Sequence, residues 1–150
     1  MEEQYITFKT AQLSKEKGFN VPVVNFYNKG KKPYATTGCE YQSDRDAITN
    51  WNDGKGSYPT KAEDVECSAP TQTLLQKWLR EVHQIYVDID IDQTSAPKFC
   101  YMISRFIGNP TNLAAEEWDW ENLPNGENWH LHRKWEDALE EGLFEALKLI

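Results

Sequence analysis

Ile85-Tyr86-Val87-Asp88-Ile89-Asp90-Ile91-Asp92 alternates apolar and polar residues with hardly a break. In an extended chain, successive side chains point to opposite faces. Ile85, Val87, Ile89 and Ile91 therefore share one side, and Tyr86, Asp88, Asp90 and Asp92 the other. That pattern predicts a half-buried strand with one wet face, as in an antiparallel sheet. Gln93 to Pro97 carries turn residues, and Phe99 to Ile107 reads as the returning strand of a hairpin. Just upstream, Ser68-Ala69-Pro70-Thr71 opens a helix. Leu74, Leu75, Trp78, Leu79 and Val82 recur there at helical spacing, with Gln76, Lys77, Arg80 and Glu81 opposite. Trp78 lies in the apolar stripe and is expected in the core.

The first part of the chain repeats this order of helix and hairpin. Thr7 fits an N-cap, with Ile6 placed to staple onto Ala11. The helix is expected to run to Lys17, where Gly18 supplies a left-handed C′ residue and Phe19 folds back toward Leu13. Val21 to Tyr27 reads as a strand, Asn28-Lys29-Gly30-Lys31 as a turn, and Pro33 to Thr37 as a second strand. Residues 38–66 are polar and read as a long insertion, as do residues 108–130. The second insertion holds five acids, no Lys or Arg, and Trp118, Trp120 and Trp129. Trp135, Leu139, Leu143, Leu147 and Ile150 form the stripe of a last helix, with Glu136 and Asp137 in its first turn and Lys148 in its last. The expected fold class is α+β, order αββαββα, in a single domain over 1–150. Its frame is a two-layer arrangement with an antiparallel sheet of about four strands and helices on one face.

Charge is unevenly spread along the 150 residues, whose net value is −8. Residues 1–34 carry six Lys against three acids, whereas residues 86–150 carry five basic residues against thirteen acids. Phosphate would be repelled by the later part, so direct nucleic-acid binding is not expected. A basic partner protein fits better. Cys39, Cys67 and Cys100 form no CxxC and lie at no metal-ligand spacing from a His. Free thiols in a reducing cell interior are the expectation. Met1-Glu2-Glu3-Gln4 lacks the start of a signal peptide, and no apolar run approaches a membrane span, so a cytoplasmic location is expected.

Several residue groups are of types that carry chemistry. Asp88, Asp90 and Asp92 recur about 6.6–7 Å apart along one strand face. They are suited to a hard cation such as Mg²⁺ or Ca²⁺ only if other elements contribute oxygen ligands. The plainer reading is a solvated face that resists edge aggregation. His130 and His132 would point the same way on a strand and offer two metal ligands, or simply lie at the core edge. His83 ends the central helix, where a cation suits the helix dipole. No nucleophile elbow, Cys–His signature or phosphate loop is present, so no cofactor and no catalytic residue is assigned. Glu116-Glu117-Trp118-Asp119-Trp120-Glu121 joins acids to large apolar area, and Trp is enriched at binding hot spots. Its plainer reading has Trp118 and Trp120 capping the core from a loop.

Three stretches carry a resemblance. They are Ile6-Thr7-Phe8-Lys9-Thr10-Ala11 running into Lys15-Glu16-Lys17-Gly18-Phe19; Ser68-Ala69-Pro70-Thr71-Gln72 running into Gln76-Lys77-Trp78-Leu79-Arg80-Glu81-Val82-His83; and Glu136-Asp137-Ala138-Leu139-Glu140-Glu141-Gly142-Leu143 with Glu145-Ala146-Leu147-Lys148. Together they resemble small phage- and prophage-encoded proteins of Bacteroides-type gut bacteria. The resemblance lies mostly in the three helices and leaves out both insertions. It implies a phage origin and a bacterial host cytoplasm, and no activity. The leading expectation is a non-catalytic accessory protein that binds another protein through the acidic, Trp-bearing segment. The alternatives are a DNA-mimic inhibitor of a DNA-binding enzyme and a metal-dependent hydrolase or nuclease.

Overall fold

Thr7 caps the first helix as its position requires. Its backbone is extended, and its hydroxyl accepts from the Thr10 N–H at 3.4 Å. Helix α1 spans Phe8–Glu16 and buries Thr10, Ala11 and Ser14. Gly18 terminates it with φ of +86°, a conformation that costs glycine little. The Phe19 N–H then returns to the Ser14 carbonyl at 2.9 Å, which brings the Phe19 ring into the core. The computed structural model describes residues 3–28, 33–35, 48–53, 65–92, 98–106, 120–123 and 131–150. The chain forms two compact units, Met1–Leu75 and Gln76–Ile150.

In the first unit, strands β1 (Asn25–Asn28), β2 (Pro33–Ala35) and β3 (Val65–Ser68) form an antiparallel sheet of order β2-β1-β3. The predicted hairpin is β1 with β2, pairing Phe26 with Tyr34. Strand β1 starts later than Val21, because Val23 instead exchanges both backbone bonds with Thr49. The region 38–66 is more than a polar loop. Trp51–Asp53 makes a single 3₁₀ turn, and β3 takes the free edge of β1. Trp51 is fully buried, stacks at 4.5 Å on Phe26 and donates its indole N–H to the Val23 carbonyl at 2.9 Å. Beside it, Asn52 donates to the Phe19 carbonyl and accepts from the Ser68 N–H, both at 2.8 Å. One amide thus ties three separate segments together and satisfies backbone groups that burial would otherwise penalise. Ser68, expected at the mouth of the central helix, ends β3.

Helix α2 covers Gln72–His83 and buries Leu75, Trp78 and Leu79 as their spacing requires. Val82, expected in the same stripe, is 60% exposed, so the stripe stops one turn short. Gln84 follows with φ of +57° and turns the chain directly into the next strand.

The second unit holds β4 (Ile85–Asp92), β5 (Lys98–Phe106) and β6 (Trp120–Leu123), antiparallel in the order β4-β5-β6. The hairpin register runs without a bulge from Ile85 opposite Arg105 to Asp92 opposite Lys98. Ile85, Val87, Tyr101 and Ile103 are buried on one face. Helix α3 (Trp135–Lys148) lies against β4 and β5 with Ala138, Leu139, Leu143, Ala146 and Leu147 inward. Gly142 allows the closest approach: a Cβ there would meet Val87 Cγ1 at 2.7 Å and Tyr101 Cβ at 2.9 Å. The fold class is α+β, and all four expected strands form in the expected order. They belong to two sheets rather than one, and two further strands form: β3, which straddles the end of the first insertion, and β6, within the second. Short strands in polar segments lack the apolar alternation that would reveal them.

Candidate partner-binding surface

The phase of the β4–β5 ladder determines what β4 offers to a partner. Phe99 exchanges both backbone bonds with His132, at 2.8 and 2.7 Å, so its polar groups point away from β4. Phe99 stands opposite Ile91. Antiparallel pairs alternate between bonded and non-bonded. Ile91, Ile89, Val87 and Ile85 therefore direct N–H and C=O away from β5, onto the outer edge of the sheet. Two bonds agree with this phase. Gln76 Nε2 donates to the Val87 carbonyl at 2.6 Å, and the Ile91 N–H donates to Asp90 Oδ1 at 2.8 Å. Among the described residues nothing pairs with the N–H or C=O of Ile89, or with the C=O of Ile91.

Around that edge the predicted alternation holds. Asp88 and Asp90 are exposed on the face that α3 does not cover, beside exposed Met102 on β5. On the other face burial fades along the strand, from Ile85 and Val87, fully buried, to Ile91, 47% exposed. Asp92 ends the strand in register with Lys98. Among the described residues no three His, Cys, Asp or Glu side chains come together in a way that would hold a metal ion.

The acidic Trp-bearing segment is described only at its end. Glu116, Glu117, Trp118 and Asp119 lie outside the described residues. Trp120 opens β6 opposite Phe106, and Glu121 follows, exposed and in register with Arg105. β6 and β4 occupy opposite edges of the same sheet.

The two described histidines, His83 and His132, take structural positions. His130 lies outside the described residues. His132 is fastened to β5 by its backbone and to α3 by a hydrogen bond between its Nε2 and Glu141 Oε2. The cationic form expected of His83 at this helix end is disfavoured. Burial first, and then the Arg105 cation, hold its pKa below the usual imidazole value, which favours the neutral ring. It packs edge-on at 4.6 Å against Trp78. Cys67 is buried, and desolvation pushes its thiol up to about 12, which leaves no thiolate for nucleophilic work near neutrality. Burial and the neighbouring Glu141 and Glu145 likewise push the Tyr101 phenol up.

No family model, curated protein or solved structure matches the chain. No helix among the described residues is long and apolar enough to cross a membrane.

Proposed function

We propose that this chain is a non-catalytic binding protein that engages a basic partner protein through the acidic surface of its second unit, including the Trp-bearing segment Glu116–Glu121. The observation that carries this reading is the exposure of Asp88, Asp90 and Glu121 on one small antiparallel sheet. The excess of acids in residues 86–150 supplies the field that would steer a basic partner, and tryptophan supplies the apolar area that anchors it. The resemblance to phage and prophage proteins supports a bacterial host cytoplasm as the setting and a host or phage protein as the target.

The test is affinity capture from Bacteroides lysate with the full chain as bait, beside Trp118→Ala and Trp120→Ala baits. A basic protein retained by the parent and lost from either variant supports the reading. Capture that is identical for all three baits removes the tryptophans from it, and capture of nothing removes the function.

A further inference from the structure

The geometry points to the outer edge of β4, from Asp88 to Asp92, as the docking site for an extended basic segment of another protein, which adds a strand to the β4-β5-β6 sheet. This rests on the reading of the chain as a protein-binding module. It concerns the opposite edge of the sheet from Trp120 and Glu121.

An edge strand with unpaired backbone groups is a template for strand addition. Among the described residues the open groups on β4 are those of Ile89 and the carbonyl of Ile91, flanked by exposed Ile91 and by the exposed carboxylates of Asp88 and Asp90. Upstream the edge is closed by Gln76 on the Val87 carbonyl, so the site is short. The Ile91 N–H is held by Asp90 itself. An incoming carbonyl that takes this N–H releases the Asp90 carboxylate, which then needs a cation.

Ladder phase sets the pattern of the ligand. Residues that exchange bonds with Ile89 and Ile91 share their face, so they are apolar. Residues opposite Asp88 and Asp90 sit at non-bonded pairs, where facing side chains approach most closely. Lys or Arg there pairs directly with each carboxylate. The recognised segment alternates basic and apolar residues.

The same phase rejects a second copy of this chain. Any antiparallel pairing of β4 with itself joins odd residues to odd residues, because those carry the outward groups. Even residues then oppose even residues, and from 88 to 92 every one of these is Asp. Like charges directly opposite one another are destabilising. The carboxylates thus serve against self-pairing and for a basic strand at once.

The test is fluorescence anisotropy with a short, end-capped, labelled peptide of alternating Arg and Val, titrated with the full chain. Saturable binding is expected. N-methylation of the valines should abolish it, since their N–H groups face β4. Asp88→Asn with Asp90→Asn should weaken it, and Ile91→Pro should weaken it by about three- to tenfold, the range of one lost hydrogen bond. Ile91→Pro suits this use because proline is tolerated where an edge N–H faces outward, so the ladder to β5 survives, as circular dichroism would show. Equal binding of the N-methylated peptide, indifference to Ile91→Pro, or no binding at all would overturn the proposal. Lysate capture by the parent chain reads the protein-binding function separately, so its failure and the failure of the strand site are told apart.

Discussion

Gly142→Ala sets two effects of opposite sign against each other, and the structure says which wins. In an ordinary helix interior alanine is better than glycine by about 0.8–1.0 kcal/mol. Gly142 sits mid-helix in α3, so propensity alone would make the variant more stable. Its added Cβ, however, would lie 2.7 Å from Val87 Cγ1, 2.9 Å from Tyr101 Cβ and 3.0 Å from Tyr101 Cγ. Ordinary contact begins near 3.4 Å, so roughly 0.7 Å of movement is needed at a packed interface. Val87 has no room to swing, being 1% exposed, and Tyr101 Cβ is bonded to the backbone of a central strand. The helix itself must lift. Overpacking of this kind costs about 1–3 kcal/mol, and its upper part exceeds the propensity gain. Because the nearest obstacle includes a strand Cβ, the net expectation is a loss of about 1–2 kcal/mol. Urea unfolding followed by circular dichroism, with parent and variant side by side, reads it as a lower midpoint at unchanged slope. A higher midpoint for Gly142→Ala would show that α3 does not press on β4 and β5 as described.

Gln84→Gly should act in the other direction. Its φ of +57° is strained for glutamine and free for glycine, so a gain of about 1 kcal/mol is expected in thermal or urea unfolding. Asn52→Ala should cost about 2–3 kcal/mol by the same measurement, because it leaves the Phe19 carbonyl and the buried Ser68 N–H without their partner. His83 supplies a pH dependence. Its folded pKa lies below the ordinary 6.5, so the unfolded chain binds more protons just under that value. Stability should fall as pH drops through that region, and His83→Gln should flatten this part of the urea-midpoint profile; an unaltered profile would refute the assignment.

How far each element could be read in advance follows from how strongly its residues declare a period. Helix α2 and the β4–β5 hairpin carry full apolar periods, and their positions follow almost residue by residue. The α1 boundaries were equally open, because Thr7, Gly18 and Phe19 are cap and stop residues whose roles are local. Trp51 was hidden. It lies in a run of Asn, Asp and Gly, and only the tertiary fold shows that the indole fills the core of the first unit while Asn52 stitches the flanking backbones. The short strands β3 and β6 were hidden for a related reason. Val65-Glu66-Cys67-Ser68 and Trp120-Glu121-Asn122-Leu123 are recruited by the edges of β1 and β5, and need no pattern of their own.

The candidate surface divides along the same line. That Asp88, Asp90 and Asp92 share a face is visible in the alternation alone, because the side-chain period of a strand is local. Which backbone groups face outward is a separate quantity, fixed by the partner strand. The paired bonds between Phe99 and His132 determine it. The two together carry a meaning that neither has separately. Had the register placed the aspartates at the outward-bonding positions, self-pairing would have juxtaposed the isoleucines at the close, non-bonded sites, and a bare apolar edge would have invited association of like chains. With the isoleucines outward and the aspartates between them, the edge keeps its hydrogen-bonding capacity while its charge decides who can use it.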